Sequence, residues 1–205
     1  MIAVVDYGRG NLFSISSALN AIGVDFRITE DADIVAKSSS IIVPGVGAFG
    51  DAMSQLKRRG LVEAIEYAAN VGHKVLGICV GMQILSTRSF EFGVHKGLNI
   101  IPGDVVRLAD MPCGEGQRIP NIGWNTVIKK ESCFFIDKLE GELNFYFVHA
   151  YGMQCDNEQH IKGSINFNGK EVAAIIGADN VWGCQFHPEK SGPMGLKLLE
   201  NYLQN

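Results

Sequence analysis

Long apolar runs are missing from this chain of 205 residues. None approaches the roughly 18 residues that a membrane-spanning helix needs. The N-terminus reads Met1-Ile2-Ala3-Val4-Val5-Asp6-Tyr7-Gly8, with neither a basic segment nor a cleavage site, so no secretory signal is expected. Positive charge is not in surplus. Eighteen Lys+Arg stand against 22 Asp+Glu, a net charge of −4, which argues against nucleic acid and anionic membranes as main partners. Cysteine is scarce and unpatterned: Cys79, Cys113, Cys133, Cys155 and Cys184 are odd in number and form no C-x-x-C pair. That supports neither a disulfide framework nor a zinc ribbon, and it fits a cytoplasmic, thiol-reducing compartment. Cys184 and His187 lie three apart, but no second pair completes a metal site, so no metal is expected. A Walker loop and a dinucleotide fingerprint are absent too, and no cofactor is expected. Repeats, linkers and low-complexity tracts are lacking, so residues 1–205 are read as one domain.

Apolar residues are 46% of the chain and charged residues 20%, a composition that folds. At this size about 70% of the surface is buried, so the core needs no covalent staples. The first strand signal is Ile2 to Val5. A turn at Gly8 and Gly10 leads to Asn11, a helix-capping residue, and Leu12, Ile15, Leu19 and Ile22 follow at helical spacing before Gly23. A second run, Ser40 to Val43, is halted by Pro44-Gly45-Val46-Gly47. A helix is expected from Asp51, carrying Met53, Leu56, Val62, Ile65 and Ala69. The third run, Lys74 to Ile78, is followed by a helical segment over Val80 to Leu85. Strands alternating with helices predict an α/β fold with an open, largely parallel sheet and helices on both faces.

The second half changes character. Short alternating segments run from Asp104 to Leu108, Trp124 to Lys129, Asn144 to His149, Lys162 to Phe167 and Glu171 to Ile176. Asn168-Gly169 between the last two is a strong hairpin signal, so antiparallel strands are expected to join the parallel core. A last helix is expected near Pro193, burying Leu196, Leu199 and Leu203.

Gly77-Ile78-Cys79-Val80-Gly81 follows a buried strand and precedes an apolar helix, the context of a nucleophile elbow. Such a turn points the cysteine sulfur over the carboxyl edge of the sheet, at a helix start that favours a thiolate. The Val80 N–H is then placed to meet a developing oxyanion. A buried, inert cysteine is the plain alternative, and the paired glycines weigh against it. Gln185-Phe186-His187-Pro188-Glu189 ends a strand at its proline. A cysteine nucleophile needs an imidazole and an orienting third group, and His187 with Glu189 offers both.

These motifs resemble those of the class I (triad) glutamine amidotransferases, and the resemblance spans essentially the whole chain. Gly77 to Gln83 is similar to the family's G-[IV]-C-x-G-x-Q, and Gln185 to Glu189 to its Q-F-H-P-E. The resemblance implies a triad of Cys79, His187 and Glu189. It implies an oxyanion hole from Val80 and the loop bearing Val46 and Gly47, and L-glutamine held by Gln83, Glu91 and Gly45. Asp6 to Leu12, Pro44 to Phe49, Gly123-Trp124-Asn125 and Tyr146 to His149 further resemble the glutaminase subunits of imidazole glycerol phosphate synthases. In those, ammonia passes to a cyclase subunit of (β/α)₈-barrel type, which makes imidazole glycerol phosphate and aminoimidazole carboxamide ribotide in histidine biosynthesis. Asn11, Trp124, Lys190 and Ser191 are then candidates for the docking face, with Trp124 equally readable as a core tryptophan.

The chain departs from that pattern at Asn121, where histidine is usual, and in the loop Met111 to Arg118. Both belong to a partner-facing region, so a paralogous subunit feeding amidination of a cell-surface nucleotide sugar stays open as the alternative. An α/β hydrolase is disfavoured because its acid precedes its histidine. A binding module with a dead triad is disfavoured because the triad is intact.

Overall fold

A computed structural model describes residues 1–111 and 119–204. Cys113 and all but the first residue of the Met111–Arg118 loop lie outside the described residues. The first half runs β1 (Ile2–Val5), α1 (Leu12–Ala21), β2 (Phe26–Thr29), α2 (Ala32–Lys37), β3 (Ser40–Gly45), α3 (Phe49–Arg58), α4 (Leu61–Asn70), β4 (Lys74–Cys79) and α5 (Val80–Gln83). The second half adds β5 (Arg88–Ser89), β6 (His95–Lys96), β7 (Gly103–Arg107), β8 (Asn121–Thr126), β9 (Ile128–Lys129), β10 (Asn144–His149), β11 (Tyr151–Cys155), β12 (Ile161–Phe167), β13 (Lys170–Ala178), β14 (Val181–Cys184) and α6 (Gly192–Gln204).

The main sheet has the order β2-β1-β3-β4-β14-β13-β12-β9. Its first five strands are parallel, and β13, β12 and β9 continue it antiparallel. The chain steps outward from β1 to β2, then back across to β3 and β4. Right-handed crossovers therefore put α1 on one face and α2, α3 and α4 on the other. Contacts agree: α1 packs with α6, while α2 and α3 pack with α4. The carboxyl ends of β1, β3, β4 and β14 meet along one edge, and the switch in direction lies between β1 and β3.

Several elements differ from the sequence expectation. The β2–α2 unit was not anticipated. β2 is a half-exposed edge strand with no apolar run, and α2 is six residues long, capped by Asp31. The helix expected from Asp51 starts at Phe49 and is two helices, broken where Gly60 takes φ +65°. The segment Trp124–Lys129 belongs to two sheets: β8 pairs with β10, and β9 pairs with β12. β11, β7, β5 and β6 make a third, separate sheet. The Asn168-Gly169 hairpin stands as expected, with φ +56° and +77°, the positive pair of a tight turn. In α6 the buried positions are Gly195, Leu198, Leu199, Asn201 and Tyr202, with Leu196 and Leu203 half-buried.

Candidate active site

Cys79 ends β4 with φ +56° and ψ −109°, a strained conformation for a residue with a side chain. The neighbouring glycines make the turn possible. A Cβ on Gly77 would overlap the Gly81 carbonyl, and one on Gly81 would overlap the Val43 carbonyl. The tight strand-to-helix passage thus presses the backbone of α5 against β3 and β4. Val80 opens α5, so its N–H lacks an intrahelical acceptor.

On the other side of the sulfur, Phe186 stacks on Phe145 with ring centroids 4.0 Å apart. That aromatic anchor fixes the strand end. Alternation then turns Gln185 and His187 the same way, toward Cys79. His187 Nδ1 lies 2.8 Å from Glu189 Oε1, and both side chains are buried. The His187 backbone is also clamped. Its N–H donates to the Tyr146 carbonyl at 2.9 Å, and its carbonyl accepts from Ser191 Oγ at 2.6 Å. Ser191 Oγ in turn accepts from the Tyr146 N–H at 2.9 Å. Burial opposes charge on the His187 ring, but hydrogen bonding to Cys79 and Glu189 outweighs it and raises the pKa above the ordinary histidine value. With Nδ1 held by Glu189, Nε2 is the ring nitrogen left to face Cys79.

Cys79, His187, Val80, Gln83 and Glu91 line one cavity of about 350 Å³, within the range of small-ligand pockets. Val46 and Gly47 form part of its rim. Glu91 accepts from the Phe49 N–H at 2.6 Å, and so sits at the start of α3. Gln83 is directed inward: its Nε2 donates to the Tyr151 carbonyl at 3.0 Å and to Gln185 Oε1 at 2.9 Å. Sequence reasoning did not assign Gln185 or Tyr151 to this site. His149 Nδ1 donates to the Tyr151 carbonyl at 2.8 Å, and its Nε2 accepts from Asn121 at 3.0 Å. Burial, together with the nearby His187, pushes the His149 pKa down to about 4 against the Tyr151 bond, so the ring is neutral at pH 7. The pairing His149↔Asn121 across β10 and β8 was hidden because these strands are far apart in sequence.

Three expectations need correction. The Val46 N–H donates to the Arg9 carbonyl at 3.0 Å, so it is not presented to a substrate oxygen in this state. Gly45 does not line the cavity. It lies in β3 opposite Cys79, packed where a Cβ would meet the Tyr7 hydroxyl and Gly81 N. Ser191 is 2% exposed and serves the clamp on His187 rather than an outer face. Asn11 caps α1, its Oδ1 accepting from the Ser14 N–H at 3.1 Å. Trp124 is 59% exposed with Ile122 beside it on the outer side of β8, which removes the core reading. Lys190 is exposed as expected. Among the described residues no cluster of three or more His, Cys, Asp or Glu side chains could hold a metal ion.

The family model for glutamine amidotransferase class-I matches residues 3–205. The chain is 43% identical to imidazole glycerol phosphate synthase subunit HisH of Desulfitobacterium hafniense, over 98% of this chain and 93% of that one. It is 44% identical to the subunit of the same name from Sulfurimonas denitrificans, over 98% and 97%. A crystal structure of a glutamine amidotransferase superposes with TM-score 0.77 at 16% identity, covering 100% of this chain and 98% of that one. With the elbow, the buried His–Glu pair and the shared cavity, these likenesses place the chain in the class I glutamine amidotransferase family.

Proposed function

We propose that the chain is the glutaminase subunit of an imidazole glycerol phosphate synthase, one amidotransferase domain that hydrolyses L-glutamine and hands ammonia to a cyclase subunit. The single observation that carries this is Cys79 on a strained elbow, sharing one cavity with a His187 whose ring is held by Glu189. The relatives at 43 and 44% identity over nearly the whole chain favour histidine biosynthesis over the sugar-amidinating alternative.

The Cys79 thiolate adds to the carboxamide carbon of glutamine, and the carbonyl electrons move to oxygen. The Val80 N–H is placed to stabilise that oxyanion. A second donor, from Val46, requires its peptide to turn away from Arg9. His187 gives its Nε2 proton to the departing nitrogen, the C–N bond breaks, and ammonia leaves a thioester. His187 then takes a proton from water as the oxygen adds to the thioester carbon. The C–S bond breaks, releasing glutamate and restoring the thiolate. Glu189 keeps Nδ1 protonated throughout and stabilises the imidazolium.

We place the cyclase, a (β/α)₈ barrel, on the face bearing Trp124, Ile122 and Lys190, all exposed. A reducing, cytoplasmic setting suits the free thiols of Cys79, Cys133, Cys155 and Cys184. The test is Cys79→Ala assayed with the cyclase subunit. Glutamine-dependent product formation should vanish while ammonium-dependent formation persists. Retained glutaminase activity would refute the assignment.

A further inference from the structure

Behind the nucleophile runs a chain of three hydrogen bonds whose direction is forced. The Tyr151 carbonyl can only accept, so the Gln83 atom facing it at 3.0 Å is the amide nitrogen. That same nitrogen meets Gln185 at 2.9 Å, so the Gln185 atom there is the carbonyl oxygen. The remaining end of the Gln185 amide is therefore NH₂, and it lies 3.7 Å from Cys79 Sγ. Gln185 is fully buried and does not line the substrate cavity. It meets the reacting atoms at the sulfur, and reaches the cavity wall only through Gln83.

We propose that Gln185 is a further catalytic residue, an N–H donor locked in direction by Gln83 and Tyr151 that stabilises the anionic sulfur of Cys79. The inference rests on Cys79 being the nucleophile. The donor acts twice. It stabilises the negative charge on the attacking sulfur, and it stabilises the thiolate expelled when water adds to the thioester and the C–S bond breaks. Two donors thus bracket the sulfur, His187 from the cavity side and Gln185 from the interior. Other ionisable groups around it are Tyr7 at the end of β1, Cys184 on β14, Glu189 and His149 behind His187, and Glu91 on the cavity rim. Gln185 differs from these in that its bond to the sulfur has a direction set by further hydrogen bonds.

The test is the pH profile of Cys79 alkylation by iodoacetamide, a small neutral reagent that needs no glutamine pocket, with the labelled site read by mass spectrometry. Gln185→Met keeps length and apolar packing and removes the donor. Its alkylation at pH 7 should be about tenfold slower than the parent's, since a hydrogen bond to a charged group is worth at least that factor. The two rates should converge at high pH. If Gln185→Met fails to fold, Gln83→Met/Gln185→Met removes the whole relay, and the Tyr151 carbonyl keeps the His149 donor. In the parent itself, the Gln185 side-chain amide resonances should move in step with the Cys79 alkylation profile. Superimposable profiles, a uniform loss at every pH, or Gln185 resonances that ignore Cys79 would each overturn the proposal. If instead the parent is not labelled at Cys79 and Cys79→Ala keeps glutaminase activity, the nucleophile assignment fails, which is a separate result.

Discussion

The Val46 N–H donates to the Arg9 carbonyl at 3.0 Å, tying the loop after β3 to the turn after β1. The Arg9 side chain is itself paired with Asp51 in the first turn of α3. In the proposed mechanism this holds the second oxyanion donor in an idle orientation. Gly47, at φ +92°, supplies the freedom for the peptide to turn. The isolated subunit should hydrolyse glutamine slowly, and cyclase with acceptor should raise the rate at least tenfold. Tenfold is about 1.4 kcal/mol of barrier, which one correctly placed donor can supply. Steady-state rates measured with and without the partner check this, and equal rates would remove the switch.

Ser191→Ala separates the clamp from the docking face. The substitution leaves the half-buried Tyr146 N–H without its acceptor, and the His187 carbonyl keeps only the Lys190 N–H. Such losses cost roughly 1–3 kcal/mol. The melting temperature should fall by about 3–10 °C and kcat should fall with it, while the affinity for the cyclase stays the same. A weakened complex with normal kcat would return Ser191 to the interface.

His149 sets a pH dependence of stability. Its folded pKa of about 4 lies below its ordinary value of 6.5, so the unfolded chain binds the extra proton first. Its contribution is complete above pH 6.5 and is lost as pH falls toward about 4. His187 is shifted the other way, so its contribution is fully present below 6.5 and adds no slope there. Asp51 and Asp137, whose pKa values are lowered from 3.8, act at still lower pH. Urea unfolding at pH 6.5 and pH 5 should therefore differ by roughly 1 kcal/mol in the parent. In His149→Gln most of that difference should vanish. An unchanged difference would show that His149 is not the group responsible.

Trp124→Ala tests the outer face. The ring is largely exposed and touches Tyr146 edge-on, with centroids 6.2 Å apart. Stability of the isolated chain should change by less than about 1 kcal/mol, whereas affinity for the cyclase should fall by about tenfold or more. Calorimetric titration of the two subunits measures this. Undiminished affinity would move the docking face elsewhere.

The chemistry was legible because its constraints are local. Gly77 and Gly81 are required by carbonyl oxygens that leave no room for a Cβ, and Pro188 stiffens the two-residue step from His187 to Glu189. The parallel core was legible where strands are apolar throughout, as in β3 and β4. β2 escaped because an edge strand exposing Arg27 and Ile28 carries no such run. Ser191 was misplaced because a serine after a lysine looks like surface until the fold folds it beneath Tyr146. The Gln83–Gln185 and Asn121–His149 contacts join residues brought together only by the finished sheets. The direction of the Val46 N–H depends on a backbone rotation that no side chain encodes.

β14 enters the sheet between β4 and β13, pairing Val181 with Val75. The strand that delivers His187 is thus made long after β4, beside which it must slot. Such a pairing is a high contact-order event and a late one in folding. Until it happens, Cys79 has neither a base nor the Gln185 amide, and β4 has an unfilled edge. A nascent or truncated chain therefore carries a cysteine without a hydrolase, and glutamine is safe from it until the sheet closes.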